Sequence, residues 1–574
     1  APPFWPASEG NFQILPSPTA DPRVAAITPR LVANPSRRVF PERGLFTLGF
    51  FVRCLVGIVL TPPQVGSRIA GKIPSKIASV DPPPRIILGF PAKNYYEGGC
   101  FLTDNEDGNI IAVSGSNRKI NALELVFLGM GSVIGGSFFL GSGIAVEKAG
   151  PSVVLGYLIG GIICFLVLQS LGYLALRFRN RESLRGYVHE AVGPGAGFVV
   201  GWSFWLTSII AIIAEAIAMA TYTRVWLPHL PLWILVIFFI LLAMWINLYG
   251  IKIVDRSEGL MSVLKTGALT AFVLAVIFIS LAPHRGYVPL GMANLTPFLP
   301  RGIGGLTQAV VICTFAYGLG AFAAATGDTR NPPRDVPRAV LGMALGQGLF
   351  FILPTLALVM AVPWTIISTD SSPFVTALQH LGIAAGGSLL NAVVLIASFS
   401  TLVAAMFSAV IMLSSLAQDQ EAPGILAVRK NGLGLNALLA SVAIALLLSV
   451  TALLLPQHTY AYAVSATGYL SFIGWGGILV ARLSLSLPSR NQGRLEKNGF
   501  AVAGIALLAL LSVSVLGLTA PEQVFSFAFA VVFVLAMALV SRMLSGCRST
   551  AKKIVGQQPG INWGKLFGDM LKQK

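Results

Sequence analysis

Residues 129–143 read Gly-Met-Gly-Ser-Val-Ile-Gly-Gly-Ser-Phe-Phe-Leu-Gly-Ser-Gly. They lie inside an apolar run over 122–146 that is long enough to cross a hydrocarbon core of about 30 Å. Six glycines in fifteen positions oppose a continuous helix, because each costs about 1 kcal/mol relative to alanine. A broken helix frees backbone N–H and C=O groups, which are tolerated at membrane depth only where they line a cavity. The same glycines also suit close helix packing, since Gly131 and Gly135 stand in a GxxxG relation. A second interrupted run lies five spans on, where Phe315-Ala-Tyr-Gly318-Leu-Gly320 falls near the middle of 303–327. Glycine-interrupted spans in corresponding places of two halves point to a transporter binding site.

Composition agrees with a membrane setting. Of 574 residues, 55% are hydrophobic and 11% charged, where a soluble domain carries about 25% charged residues. Mean hydropathy is +0.76. A water-soluble enzyme and a disordered chain are both excluded. Twelve apolar segments follow: 122–146, 152–176, 197–223, 230–249, 258–282, 303–327, 339–362, 386–416, 434–455, 461–482, 499–519 and 522–541. None alternates with period two, so a barrel is excluded. The reading is an all-α integral membrane protein of twelve transmembrane helices.

The formal net charge of +17 has its explanation in topology. Lys and Arg gather in alternate loops: Arg118 and Lys119; Arg177, Arg179, Arg181 and Arg185; Arg330, Arg334 and Arg338; Arg429 and Lys430. The opposite loops hold only Lys148, Arg224, Arg285 and Arg301. By the positive-inside rule both termini are cytoplasmic. This placement also removes the case for a nucleic-acid partner; the partner of the basic loops is the lipid bilayer. Three regions result. Residues 1–117 are Pro- and Arg-rich and are expected to be a disordered or spurious N-terminal extension; the first Met is Met130. A basic flank before the apolar stretch 45–60 also has the outline of a signal peptide. Residues 118–545 form the membrane domain, and 546–574 a basic cytoplasmic tail.

In mid-span only Glu215 and Lys265 are ionisable. Burying such groups costs at least about 2.5 kcal/mol on insertion scales, which makes each a functional candidate. A structural role in helix packing is the alternative for each. A lysine buried in apolar surroundings gives up its proton readily, which suits a proton carrier. The two helix breaks add a half-helix N-terminus, which attracts anions, and an opposing C-terminal end, which attracts cations. Together they suit a zwitterion. Five cysteines form no CxxC pair, and His189, His229, His284, His380 and His458 are scattered, so no metal site and no cofactor is assigned. No His-Glu-xx-His, paired carboxylates or Gly-x-Ser-x-Gly occurs in the spans, and no enzymatic activity is expected.

From about Lys119 to Leu539 the chain resembles the amino acid permeases of the amino acid–polyamine–organocation superfamily, in the microbial amino acid transporter branch. The resemblance is carried by Gly131–Gly143, Ala149-Gly-Pro151, Gly193-Pro-Gly-Ala-Gly-Phe198, Gly201-Trp-Ser-Phe-Trp205, Lys252–Glu258 with Lys265, Gly327-Asp-Thr-Arg-Asn-Pro332 and Ser415-Leu-Ala-Gln-Asp419 with Ala422-Pro423. It implies a LeuT-type fold, with helices 1–5 and 6–10 as inverted repeats plus two extra helices. It implies secondary active import of amino acids across the plasma membrane, usually by proton symport with alternating access. By position, the substrate carboxylate would meet the amides of Gly135, Gly136 and Ser137. The ammonium would meet carbonyls near Val133, Phe315, Ala316 and Tyr317, with Gly318 and Gly320 opening the second break and Glu215 beside the site. Tyr317 is read either as an aromatic lid of this pocket or as an ordinary packing residue between helices. Lys265 would occupy the place of a sodium ion and steady helix one against Ser400 and Thr401. Three departures bear on specificity: Gly320 stands where an acid is frequent, Ser137 replaces a third glycine, and Ile411 stands where an arginine is common. An exchanger of amino acids or polyamines, and an amino acid sensor that moves nothing, are the competing readings.

Overall fold

The computed structural model describes residues 96–97, 100–104, 110–114 and 120–556, less 132, 179–182, 249–250, 282–291, 320–321, 323–325, 327–328, 368–370, 429–433, 451–458 and 486–493. The expectations for 1–95 and for the tail beyond 556 lie outside these residues. In the segment expected to be disordered, Tyr96–Glu97 (β1), Cys100–Asp104 (β2) and Ile110–Ser114 (β3) pair antiparallel in the order β1-β2-β3. The reason is local: β3 reads Ile-Ile-Ala-Val-Ser, and β-branched residues favour strands.

The remaining described chain is helical. The helices are α1 (Ala122–Gly131), α2 (Gly136–Ala149), α3 (Val153–Arg177), a short α4 (Leu184–Ala191) between apolar segments, α5 (Pro194–Arg224), α6 (Leu232–Leu248), α7 (Ile251–Leu281) and α8 (Gly302–Thr314). Then follow α9 (Pro332–Ala361), a short α10 (Pro373–His380), α11 (Ala384–Gln418), α12 (Leu435–Ser449), α13 (Thr459–Leu485), α14 (Arg494–Leu516) and α15 (Pro521–Gly556). Among the described residues, seven helical stretches are long and apolar enough to cross a membrane. One of them, Phe138–Arg177, counts 40 residues. At 1.5 Å per residue it is about twice a hydrocarbon core. It is divided at Gly150, whose φ of +62° is a left-handed value. A Cβ there would also collide with Pro300, so both backbone angle and space require glycine. Five shorter apolar helices also occur among the described residues: Ala122–Gly131, Leu232–Leu248, Val263–Ile279, Gly302–Thr314 and Leu435–Ser449.

α5 is the central helix. It packs against α11, α13 and α6, and it is buried along most of its length. α3 packs against α9 and α8 through a small-residue face. Cβ atoms added to Gly156, Gly160 and Gly161 would meet Cys313, Thr314 and Tyr317. α1 and α9 interlock in the same manner: Met343 fills the space over Gly129, Met130 that over Gly346, and Val126 that over Gly342. Small residues of this kind let helices approach where water supplies no hydrophobic drive. Only 11% of the apolar window of α15 is buried, so this helix is peripheral. Several hydroxyls inside the bundle bond back to carbonyls one turn earlier, as Ser208 does to Phe204 and Thr467 to Ala463, which satisfies these donors in an apolar medium.

Candidate functional site

The first break lies where the glycines place it. α1 stops at Gly131, and α2 starts at Gly136 after an extended Gly135. The amides of Val133 and Ile134 reach only the Met130 carbonyl, at 3.2 and 3.4 Å. No side chain caps α2, so its first amides, those of Gly136 and Ser137, point out of the helix at a positive dipole end. The Ser137 side chain lies outside the described residues. The second break follows α8. Phe315, Ala316 and Tyr317 form a tight turn in which each amide bonds three residues back, to Ile312, Cys313 and Thr314. Residues 317–319 are not helical. Gly320 lies outside the described residues.

The breaks touch. A Cβ on Gly318 would stand 2.9 Å from Val133 Cγ2. Around the first break, α5 and α11 converge on the bare face of Gly135 and Gly136. A Cβ on Gly135 would stand 2.7 Å from both Glu215 Oε1 of α5 and Thr401 Oγ1 of α11. A Cβ on Gly136 would collide with Ser398 Oγ, with Ser398 Cβ at 2.7 Å and Glu215 Oε2 at 3.0 Å. The Tyr222 hydroxyl donates to the Gly136 carbonyl at 2.8 Å, and Asn391 Nδ2 holds the Tyr222 carbonyl at 2.9 Å. Glu215 itself is 1% exposed.

Lys265 of α7 is equally buried, at 1% exposure. Its Nζ donates to the Gly131 carbonyl at 3.4 Å and to Thr401 Oγ1 at 3.2 Å. Thr401 in turn donates to Ala397 O at 3.0 Å and lies 3.5 Å from Ile134 O. One ammonium thus links the C-terminal end of α1, where unsatisfied carbonyls concentrate negative charge, to α11. Ser400 is the half-buried residue before Thr401.

Of the two readings of Tyr317, the geometry favours packing. Its hydroxyl donates to the Tyr157 carbonyl at 2.7 Å, and its ring meets Phe351 edge-on at 5.0 Å. The paired glycines Gly160 and Gly161 form the slot that takes the ring. Ser398, Thr401 and Glu215 press on the side-chain faces of Gly135 and Gly136. A leucine at Gly136 would therefore drive apart α2 and α11 and would not leave the fold intact. Ser398, Tyr222 and Asn391 are site neighbours that the sequence does not single out, because α5 and α11 are apolar all round. Beyond the first break, Phe138 contacts Tyr157, Phe351 and Phe374, with centroids at 5.7, 4.8 and 5.5 Å. This aromatic layer covers one end of the break.

The profile of the amino acid permease family matches residues 124–544. The chain belongs to this family. The γ-aminobutyric acid permease of Bacillus subtilis is 29% identical over 377 residues, covering 65% of this chain and 80% of that one. The aromatic amino acid transport protein AroP of Escherichia coli is 29% identical over 383 residues, covering 66% and 83%. A solved manganese transporter of Eremococcus coleocola, in a point-mutant form, covers 75% of this chain and 97% of its own at a TM-score of 0.50 and 14% identity, which is a likeness of fold alone. The permease is a multi-pass membrane protein that transports amino acids, and it is not an enzyme.

Proposed function

We propose that this permease imports amino acids across the plasma membrane by proton symport with alternating access. Twelve spans in a LeuT-type five-plus-five inverted repeat, with both termini in the cytoplasm, carry the cycle. The observation that supports it best is the ammonium of Lys265 held between Gly131 O and Thr401 Oγ1. Protonated, the lysine clamps the end of α1 to α11. Neutral, it loses most of that attraction, and α1 is free to move. A substrate that favours the clamped form is then loaded together with a proton, and linkage makes the preference reciprocal.

The substrate binds between the breaks. Its carboxylate meets the uncapped amides of Gly136 and Ser137, and its ammonium the carbonyls of Val133, Phe315 and Ala316. Glu215, so close to Gly135, would repel a carboxylate on that face and attract an ammonium. It therefore orients the substrate by charge. The relatives are named for γ-aminobutyric and aromatic amino acids, which sets the first probes. The test is uptake of labelled γ-aminobutyrate, phenylalanine, tyrosine and a panel of the common amino acids into proteoliposomes. Concentrative uptake of one of them under an inward proton gradient is expected. Counterflow that ignores the gradient would make the protein an exchanger, and binding without movement would make it a sensor.

A further inference from the structure

Arg185 sits on α4, the short helix between α3 and α5, and is 4% exposed. Its guanidinium forks. Nη1 donates to Asp419 Oδ2 at 2.6 Å and to Ser415 Oγ at 3.4 Å, and Nη2 donates to Glu421 Oε2 at 2.5 Å. These acceptors lie in the last turn of α11 and just past it, around Gln420 with its φ of +59°. The Glu421 side chain is 5% exposed, and that of Asp419 56%. From α5, Trp202 Nε1 donates to the Glu421 carbonyl at 3.3 Å. Two residues along α4, the Tyr187 hydroxyl bonds Thr326 Oγ1 at 3.1 Å, in the stretch that follows the second break. That stretch is also tied to the entry of α1, because Arg330 N donates to Ile120 O at 2.8 Å and Thr329 pairs with Ile120. α4 thus joins two sets of elements at one end of the bundle. On one side are α5 and α11. On the other are the continuations of both broken helices.

We propose that Arg185, with Asp419 and Glu421, is the latch of the gate at this end, the cytoplasmic end by the charge asymmetry. The proposal rests on the transport reading above. A substrate held between the breaks can leave toward this end only when α1 and the segment after α8 part from α5 and α11, and α4 spans that seam. Closed, the latch desolvates Arg185 and Glu421, leaves Asp419 half in water, and offsets the desolvation with two charge-assisted bonds. Open, water solvates all three. Removing the arginine leaves Glu421 buried and uncompensated in the closed form alone, so the equilibrium moves toward the open form. Replacing Arg185 and Glu421 together by apolar residues removes the buried charge, and the closed form returns. An ion cluster that merely fastens α4 would lower stability without this selective shift.

The test uses the full-length protein with its five native cysteines replaced and a reporter cysteine at Leu319, which is 3% exposed and lies within the second break. The rate at which a membrane-impermeant maleimide labels it from the cytoplasmic face, in inside-out vesicles without substrate, reports gate opening. Arg185→Ala should speed labelling by about tenfold or more, and Arg185→Lys by less, because lysine supplies one point charge for a two-pronged fork. Arg185→Leu combined with Glu421→Leu should return near the parent rate. Asp419→Asn changes only the exposed prong, threatens folding least, and should speed labelling about two- to fivefold. Parent-like labelling in Arg185→Ala and Asp419→Asn overturns the latch, as does a double variant that labels as fast as Arg185→Ala. The readout needs no transport. A parent protein that moves no amino acid, yet shows this pattern, would sink the transport reading and leave the latch standing.

Discussion

Replacing Gly136 by alanine adds one methyl group at the most crowded point of the first break. The new Cβ would collide with Ser398 Oγ and stand 2.7 Å from Ser398 Cβ and 3.0 Å from Glu215 Oε2. Rotating the Ser398 hydroxyl relieves only the first of these, because its Cβ is fixed by the α11 backbone. Overpacking a closed interior by one methyl costs about 1–3 kcal/mol, which is a factor of roughly five to 150 at equilibrium. α2 and α11 must yield, and the amides at the start of α2 move with them. Gly136→Ala should therefore weaken amino acid binding within that range and lower the melting temperature. The second site makes the argument specific. Ser398→Ala in the same chain removes the hydroxyl but leaves its Cβ, so it should restore only part of the loss. Ser398→Gly removes both and should restore most of it. Neighbours that share a clash couple by about 0.5–3 kcal/mol in a double-mutant cycle. The assay is equilibrium binding of labelled substrate to purified protein, beside a thermal melt of each variant. Additive effects at the two positions, or an alanine at 136 that binds as tightly as glycine, would refute the packing drawn here.

Tyr222→Phe removes the donor to the Gly136 carbonyl, worth about 1 kcal/mol; binding should weaken about fivefold, measured by the same equilibrium assay. Tyr317→Phe loses its bond to the Tyr157 carbonyl, a packing contact, and should lower the melting temperature with little change in substrate affinity; a large loss of affinity at unchanged stability would return Tyr317 to the role of lid. Glu215→Gln keeps the shape and removes the charge, and should raise the KM for amino acids more than it lowers kcat, because the carboxylate attracts the ammonium in the ground state; a kcat loss alone would count against that role.

The glycine clusters of 129–143 and 315–320 are legible as breaks because glycine opposes a helix wherever it falls. The spans are legible because hydrocarbon demands long apolar runs. What lies beyond the sequence is which face each residue takes. α5 and α11 are apolar all round, so nothing distinguishes Ser398, which presses on Gly136, from its neighbour Ser400. Tyr317 beside a break suggests a lid. Gly160-Gly161, the slot that takes its ring, is readable only once α3 is known to pack on α8. Arg185 reads as one more of the loop cations that set topology. Its partners Asp419 and Glu421 are 234 and 236 positions away, and positive-inside counting treats every arginine alike. The strand residues 110–114 carry a local β signal, hidden by the Pro-rich stretch around them.

Coupling through Lys265 is most directly tested by recording internal pH in proteoliposomes when substrate is added outside. Parent protein and Lys265→Ala are compared, with substrate binding measured on both and a melt to show that the variant is folded. The parent should acidify the interior as substrate enters. Lys265→Ala should still bind substrate, within about tenfold of the parent, and should carry no protons with it. Substrate-driven acidification in a folded Lys265→Ala protein equal to that of the parent would contradict the account, as would concentrative uptake by the parent with no proton movement at all.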